Sequence, residues 1–130
     1  MVLVDSSIWL IALDSSHPNT FQTRVQMEAL LGAYLVSITE TVRFDLLRKI
    51  PLSKRSEFLS YLNQIPVVIP KKSTWNVAVQ IAWDLKLQEI EIESSEALIA
   101  ALSLQLQEPL FTRNPIHKIV AECRQLTLLS

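Results

Sequence analysis

The chain has 130 residues, 49% of them apolar, enough for one domain with a full core. Its formal net charge is −1, so no global field recruits nucleic acid. One cysteine, Cys123, excludes an intrachain disulfide and a cysteine-based metal site, and one glycine, Gly32, excludes glycine-rich dinucleotide and phosphate loops and G-x-S-x-G nucleophile elbows.

Met1–Val4 reads as a strand buried on both faces, and Ser6–Leu13 as a short helix. Asn19 is placed to cap a helix carrying Phe21, Val25 and Leu30 and stopping near Gly32. Tyr34–Ile38 is a strand. Ser37 and Glu40 stand in capping-box spacing and open a helix with Val42, Leu46, Leu47 and Ile50, stopped by Pro51. Ser53 is expected to cap a helix through Phe58, Leu59 and Leu62. Val67–Ile69 is a strand between two prolines. Ser73 starts a helix striped by Val77, Ala78, Ile81, Ala82 and Leu85. Ser94 or Ser95 starts an apolar helix through Leu106. Leu110–Thr112 is a brief strand, Asn114-Pro115 a helix start, and Leu126–Leu129 the strand that closes the sheet. Alternating strands and helices predict an α/β domain with a mainly parallel sheet.

No apolar stretch reaches the ~18 residues that span a bilayer, so no membrane association is expected. No charged segment precedes an apolar one as in a secretory signal, and a cytoplasmic protein is expected. Half-apolar composition with three tryptophans in so small a chain predicts a homodimer. Trp9, Trp75 and Trp83 read as core or interface, and Cys123 as packed and inert.

Asp5 directly follows the first strand. In open parallel sheets the carboxyl ends of strands face the ligand crevice, so a carboxylate there is a candidate ligand; the plainer reading is a helix cap. Glu40 and Asp45 lie in the first turns of the helix after the second strand, and Glu96 in the first turn after Ser95. Thr112, Arg113 and Asn114 follow the strand Leu110–Thr112. Acids converging on one sheet edge match an oxygen-ligand Mg²⁺ or Mn²⁺ site. Each has a plainer role. Glu40 can be the capping-box partner of Ser37, Glu96 can complement a helix dipole, and Asp45 can pair with Arg48 or Lys49. Glu40 and Asp45 are ~140° apart around a helix, so both cannot point squarely at one ion. His17 and His117 lack zinc-motif spacing; zinc is not expected, and His117 reads as a surface residue. A phosphoacceptor pocket is excluded because Val67–Pro70 and the following Lys71-Lys72 offer no aspartate.

The blocks V-L-V-D-S-S-I-W-L, V-R-F-D-L-L-R-K, S-E-A-L-I-A-A-L-S-L and L-F-T-R-N resemble, in order and spacing, those of PIN-domain ribonucleases, most of all the toxin of VapBC toxin–antitoxin pairs. The resemblance spans nearly all of the chain. It implies a three-layer α/β/α sandwich, residues 1–130 forming a single PIN-like domain, a homodimer, a small antitoxin partner and Mg²⁺- or Mn²⁺-dependent hydrolysis of RNA. The family's acids fall on Asp5, Asp45 and Glu96 as metal ligands and its fourth position on Asn114. Ser6, Thr112 and Glu40 would orient them, and Arg43, Arg48, Lys49 and Arg113 would contact RNA phosphates. Asp45 is one methylene shorter than the usual glutamate and Glu96 one longer than the usual aspartate. Asn114 is neutral, and His117-Lys118 replaces a common aspartate-phenylalanine pair. These departures keep a second reading open, a weakened or inactive PIN-like module that binds protein or RNA.

Overall fold

The strand Val2–Val4 (β1) is hydrophobic without alternation because it is covered on both faces; Leu3 and Val4 are fully buried. The computed structural model describes residues 1–129. β1 is followed by α1 (Ser6–Leu13), α2 (Thr20–Gly32), β2 (Val36–Thr39), α3 (Glu40–Lys49), a 3₁₀ turn (Leu52–Lys54) and α4 (Arg55–Leu62). The chain continues through β3 (Val67–Val68), α5 (Lys72–Lys86), α6 (Ser94–Leu106), β4 (Leu110–Phe111) and α7 (Ile116–Cys123). The strands form one sheet in the order β3-β2-β1-β4, all parallel, with Val2 opposite Val36 and Leu3 opposite Leu110. Helices α1 to α4 pack as one group and α5 to α7 as another. With the sheet between them they make the expected three-layer α/β/α sandwich. The last segment joins β4 through one parallel bridge, Leu110 to Leu128, rather than as a full strand.

Helix α6 is buried all round from Ala97 to Ser103. A helix apolar on every side belongs inside, and the small side chains of Ala100, Ala101 and, on α5, Ala78 let the two helices approach closely. α6 thereby becomes a fixed strut whose N-terminus presents Glu96.

Three expected helix starts are revised. Ser37 lies inside β2, buried, and donates to the Val2 carbonyl at 3.4 Å. The cap of α3 is Thr39, whose Oγ1 accepts from the Val42 amide at 3.2 Å. Strand β2 ends one residue further than its sequence pattern indicates, at Thr39, which makes Glu40 the first helical residue, exposed and 3.8 Å from Arg43. Ser53 falls within the 3₁₀ turn, so α4 starts at Arg55. Asn19 precedes α2 without a side-chain capping bond. The buried side of α2 is also rotated from expectation. It carries Thr20, Thr23 and Met27, while Phe21 and Val25 are exposed. Thr20 anchors that side by donating to the Ile11 carbonyl at 3.0 Å and to the Asp14 carbonyl. Cys123 is exposed rather than packed and accepts a hydrogen bond from Gln88.

The left-handed residue after α2 is Tyr34 (φ 56°), not Gly32, which remains helical. Leu35 donates to the Leu30 carbonyl and Tyr34 to the Leu31 carbonyl, closing the helix as a Schellman motif. Glu89 (φ 61°) and Gln107 (φ 53°) end α5 and α6 the same way. A chain this poor in glycine takes its left-handed stops with ordinary side chains, each against the steric cost of the αL region.

Candidate metal centre at the carboxyl edge of the sheet

β1 delivers Asp5 to the carboxyl edge of the sheet beside the end of β4, where the Asp5 amide donates to the Phe111 carbonyl at 3.0 Å. The side chain is buried, at 2% exposure, and makes no capping bond to α1. This removes the simple helix-cap reading. Its Oδ2 instead accepts from Thr112 Oγ1 at 2.7 Å and from Ser7 Oγ at 3.1 Å, while Ser6 reaches Oδ1 at 3.3 Å. The two hydroxyls on Oδ2 are themselves set by backbone. The Asn114 amide donates to Thr112 Oγ1 and the Arg113 amide to Ser7 Oγ, each at 3.0 Å. The loop between β4 and α7 thus orients two O–H groups toward one carboxylate oxygen and leaves the other more open. The role expected for Thr112 has this geometry; Ser7, absent from the sequence reading, shares it.

Glu96 comes from the first turn of α6, its side chain 17% exposed. Its Oε2 lies 2.5 Å from Nε2 of His117, which is fully buried on α7. Asp5, Glu96 and His117 each offer a ligand atom, and these atoms lie within 4.8 Å of one another. His117 is therefore not a surface residue. Its signal in the sequence is position: it precedes Val120 by one helical turn, and the two form the buried side of α7.

The other candidates are not among these three ligand groups. Asp45 is partly exposed, and its Oδ1 accepts from Arg48 Nε at 3.0 Å. Glu40 is tied to Arg43, which also donates to Asn63 Oδ1 at 3.0 Å. Asn114 is partly buried, and its Oδ1 accepts from the Ile116 amide at 3.1 Å, capping α7 as expected. Arg113 stacks over Phe111 at 5.3 Å from the ring centroid and donates to Gln26. Lys49 is exposed.

A second feature is an apolar groove of about 530 Å³ between α1, α2 and α4. Trp9, Leu13, Met27, Leu31, Phe58 and Tyr61 line it, with Arg24, Glu28, Lys54 and Glu57 among them. The Trp9 indole N–H, buried there, has no acceptor among the described residues. Partial burial pushes the Tyr61 phenol up from its ordinary pKa.

The three-layer α/β/α fold is shared with solved VapBC and FitAB structures. FitAcB from Neisseria gonorrhoeae superposes with a TM-score of 0.74 at 16% identity, covering 100% of this chain and 97% of that one. VapBC2 from Rickettsia felis, bound to a DNA fragment from its promoter, gives 0.76 at 18% identity over 99% and 98%. VapBC-1 from nontypeable Haemophilus influenzae gives 0.73 at 17% over 100% and 98%. No family model and no curated protein matches the sequence. Among the described residues no helix is long and apolar enough to cross a membrane.

Proposed function

We propose that this protein is a metal-dependent endoribonuclease of the toxin–antitoxin type, acting in the cytoplasm as a single PIN-like domain over residues 1–130. The observation that carries this reading is the convergence of buried Asp5 with Glu96 at the carboxyl edge of a parallel sheet. Two carboxylates within 4.8 Å repel one another, and a divalent cation would relieve that repulsion. Carboxylate donors fit Mg²⁺ or Mn²⁺, with Asp45 completing the set if its Arg48 contact opens. Such an ion, when bound, supplies an acidified water and charge neutralisation at a phosphodiester.

The chain's own groups do the rest. Thr112 and Ser7 hold Asp5 in one orientation. Asn114 holds the start of α7 and positions water near the acids. Arg43, Arg48, Lys49 and Arg113 contact RNA phosphates, which gives affinity without sequence choice. The apolar groove takes the amphipathic tail of a small antitoxin, whose apolar side chains would seat against Leu13, Phe58 and Tyr61 and whose charges would meet Arg24, Glu28, Lys54 and Glu57. Trp75, Val79, Trp83 and Leu87 recur every fourth residue along the exposed side of α5 and beyond its end, and this stripe is the proposed homodimer surface.

The test is cleavage of a mixed RNA pool by the purified protein with Mn²⁺, Asp5→Asn serving as control. Cleavage that depends on Mn²⁺ and is lost in Asp5→Asn is expected. Cleavage that persists in Asp5→Asn overturns the site. RNA binding without cleavage favours the non-catalytic module, a reading supported by the His117 partner that already occupies Glu96.

A further inference from the structure

We infer that His117 is itself a metal ligand and that the site prefers an imidazole-tolerant transition ion, such as Mn²⁺, Co²⁺ or Zn²⁺, over Mg²⁺. The inference rests on the metal-dependent reading above and deepens it. It replaces an all-oxygen ligand set by Asp5, Glu96 and His117.

The donors come from three elements that the core holds rigidly: the end of β1, the first turn of α6 and the first turn of α7. Asp5 and His117 are almost completely inaccessible, at 2% and 0% exposure, so neither can leave the cluster without disturbing the core. The Glu96 side chain, 17% exposed, forms the side open to solvent, by which an ion would enter. Nε2 of His117 points into the cluster, 2.5 Å from Glu96 Oε2. Nδ1, on the far side of the ring, is buried and has no hydrogen-bond partner among the described residues. A buried imidazole fixed purely for structure satisfies both nitrogens. With no acceptor at Nδ1, the ion-free protein favours the tautomer that donates from Nε2 to Glu96, and an ion at Nε2 requires the ring proton to move to Nδ1.

An ion entering between Asp5, Glu96 and His117 takes the place of the direct hydrogen bond between Nε2 and Glu96 Oε2. Nitrogen donors rank divalent ions differently from oxygen donors. Carboxylate and water suit Mg²⁺, whereas imidazole favours the transition series in Irving–Williams order. A mixed set of two carboxylates and one imidazole shifts selectivity away from Mg²⁺ without requiring any of the zinc-motif spacings that the sequence lacks.

The probe is the metal alone, added to the purified full-length protein. Pulsed electron paramagnetic resonance on the Mn²⁺-loaded protein reads whether a nitrogen is coupled to the ion. The wild type and His17→Gln are expected to carry a nitrogen coupling, because the other histidine lies in a loop where its Nδ1 accepts from the Asn19 amide. His117→Gln is expected to lose it. Calorimetric titration should give Co²⁺ affinity about tenfold or more lower in His117→Gln than in wild type, with Mg²⁺ affinity within about twofold. A nitrogen-free Mn²⁺ signal in the wild type overturns the role of His117 and leaves the carboxylate site standing. Failure of any divalent ion to bind overturns both, and the RNA cleavage assay then decides separately whether the protein acts without a metal. The comparison of wild type with His17→Gln decides the nitrogen question even if His117→Gln does not fold.

Discussion

Thr112 donates to Asp5 across 107 residues of sequence at 2.7 Å, and its own oxygen accepts from the Asn114 amide. A backbone N–H of the β4–α7 loop thereby fixes the direction of a buried carboxylate at the end of β1. Removing the hydroxyl leaves that carboxylate short of a charge-assisted bond in a dry setting. Thr112→Val, which keeps the shape, is expected to lower unfolding free energy by about 1–3 kcal/mol, and Thr112→Ser by less than about 1 kcal/mol. Urea denaturation at neutral pH measures both. Equal losses in the two variants would mean that the hydroxyl is a packing group and not an orienting one.

The acids are separated by their response to ions. In thermal melts, Mn²⁺ is expected to raise Tm in the wild type, increasingly with concentration, by mass action on the folded state. Asp5→Asn should remove most of that rise, and without metal it should be as stable as the wild type or slightly more so, because one of two carboxylates within 4.8 Å has been neutralised. Glu40→Gln should leave the metal response intact and change stability by about 0.5 kcal/mol or less, since Glu40 is exposed and its 3.8 Å contact with Arg43 is a surface pair. Asp45→Asn discriminates. A weakened response makes Asp45 the second acid, and an unchanged one confines the site to Asp5, Glu96 and His117.

Helix ends give a prediction independent of function. Gly32 is helical, and a Cβ there would meet nothing within 4 Å, so Gly32→Ala should stabilise by about 0.5–1 kcal/mol. Tyr34 carries the left-handed turn instead, with its side chain solvent-exposed. Tyr34→Gly should therefore stabilise too, by about 1 kcal/mol at most, because relief of the αL cost exceeds the added entropy of the unfolded chain. Chemical denaturation of the two variants checks this. A loss on Tyr34→Gly would show that the ring packs against something beyond this chain or that the turn is not left-handed in solution.

What was legible in the sequence follows from which forces act locally. The order of strands and helices was readable because strands buried on both faces, such as Val2–Val4, are uninterrupted apolar runs. Asp5 was readable because it ends one of them. The α3 cap was misplaced by two residues since Ser37 and Thr39 are chemically similar, and only pairing with β1 carries the strand through to Thr39. The Glu96–His117 contact was invisible because it joins residues 21 apart on different helices, and the packing of α7 on α5 and the burial of α6 bring them together. In α2, Phe21 and Val25 outweigh Thr20 and Thr23 in hydropathy, yet the threonines face inward. The pattern of a helix with apolar residues on two sides does not say which side the fold covers and which it leaves to a partner.

That same ambiguity applies to α5, where the outward side is testable. Trp83 is 64% exposed and Trp75 and Val79 each 44%, so substitution there removes little from the core. Trp83→Glu is expected to change unfolding free energy by about 0.5 kcal/mol or less in the monomer while preventing self-association, since it buries a charge at an apolar contact. Phe21→Glu, at an exposed position on α2, should leave association unchanged. Sedimentation velocity at tens of micromolar protein, without an antitoxin present, should find wild type and Phe21→Glu as dimers and Trp83→Glu as monomer. A wild type that stays monomeric would count against the homodimer altogether. If Phe21→Glu dissociates the dimer and Trp83→Glu does not, the interface belongs on the α2 side and the tryptophans of α5 need another partner.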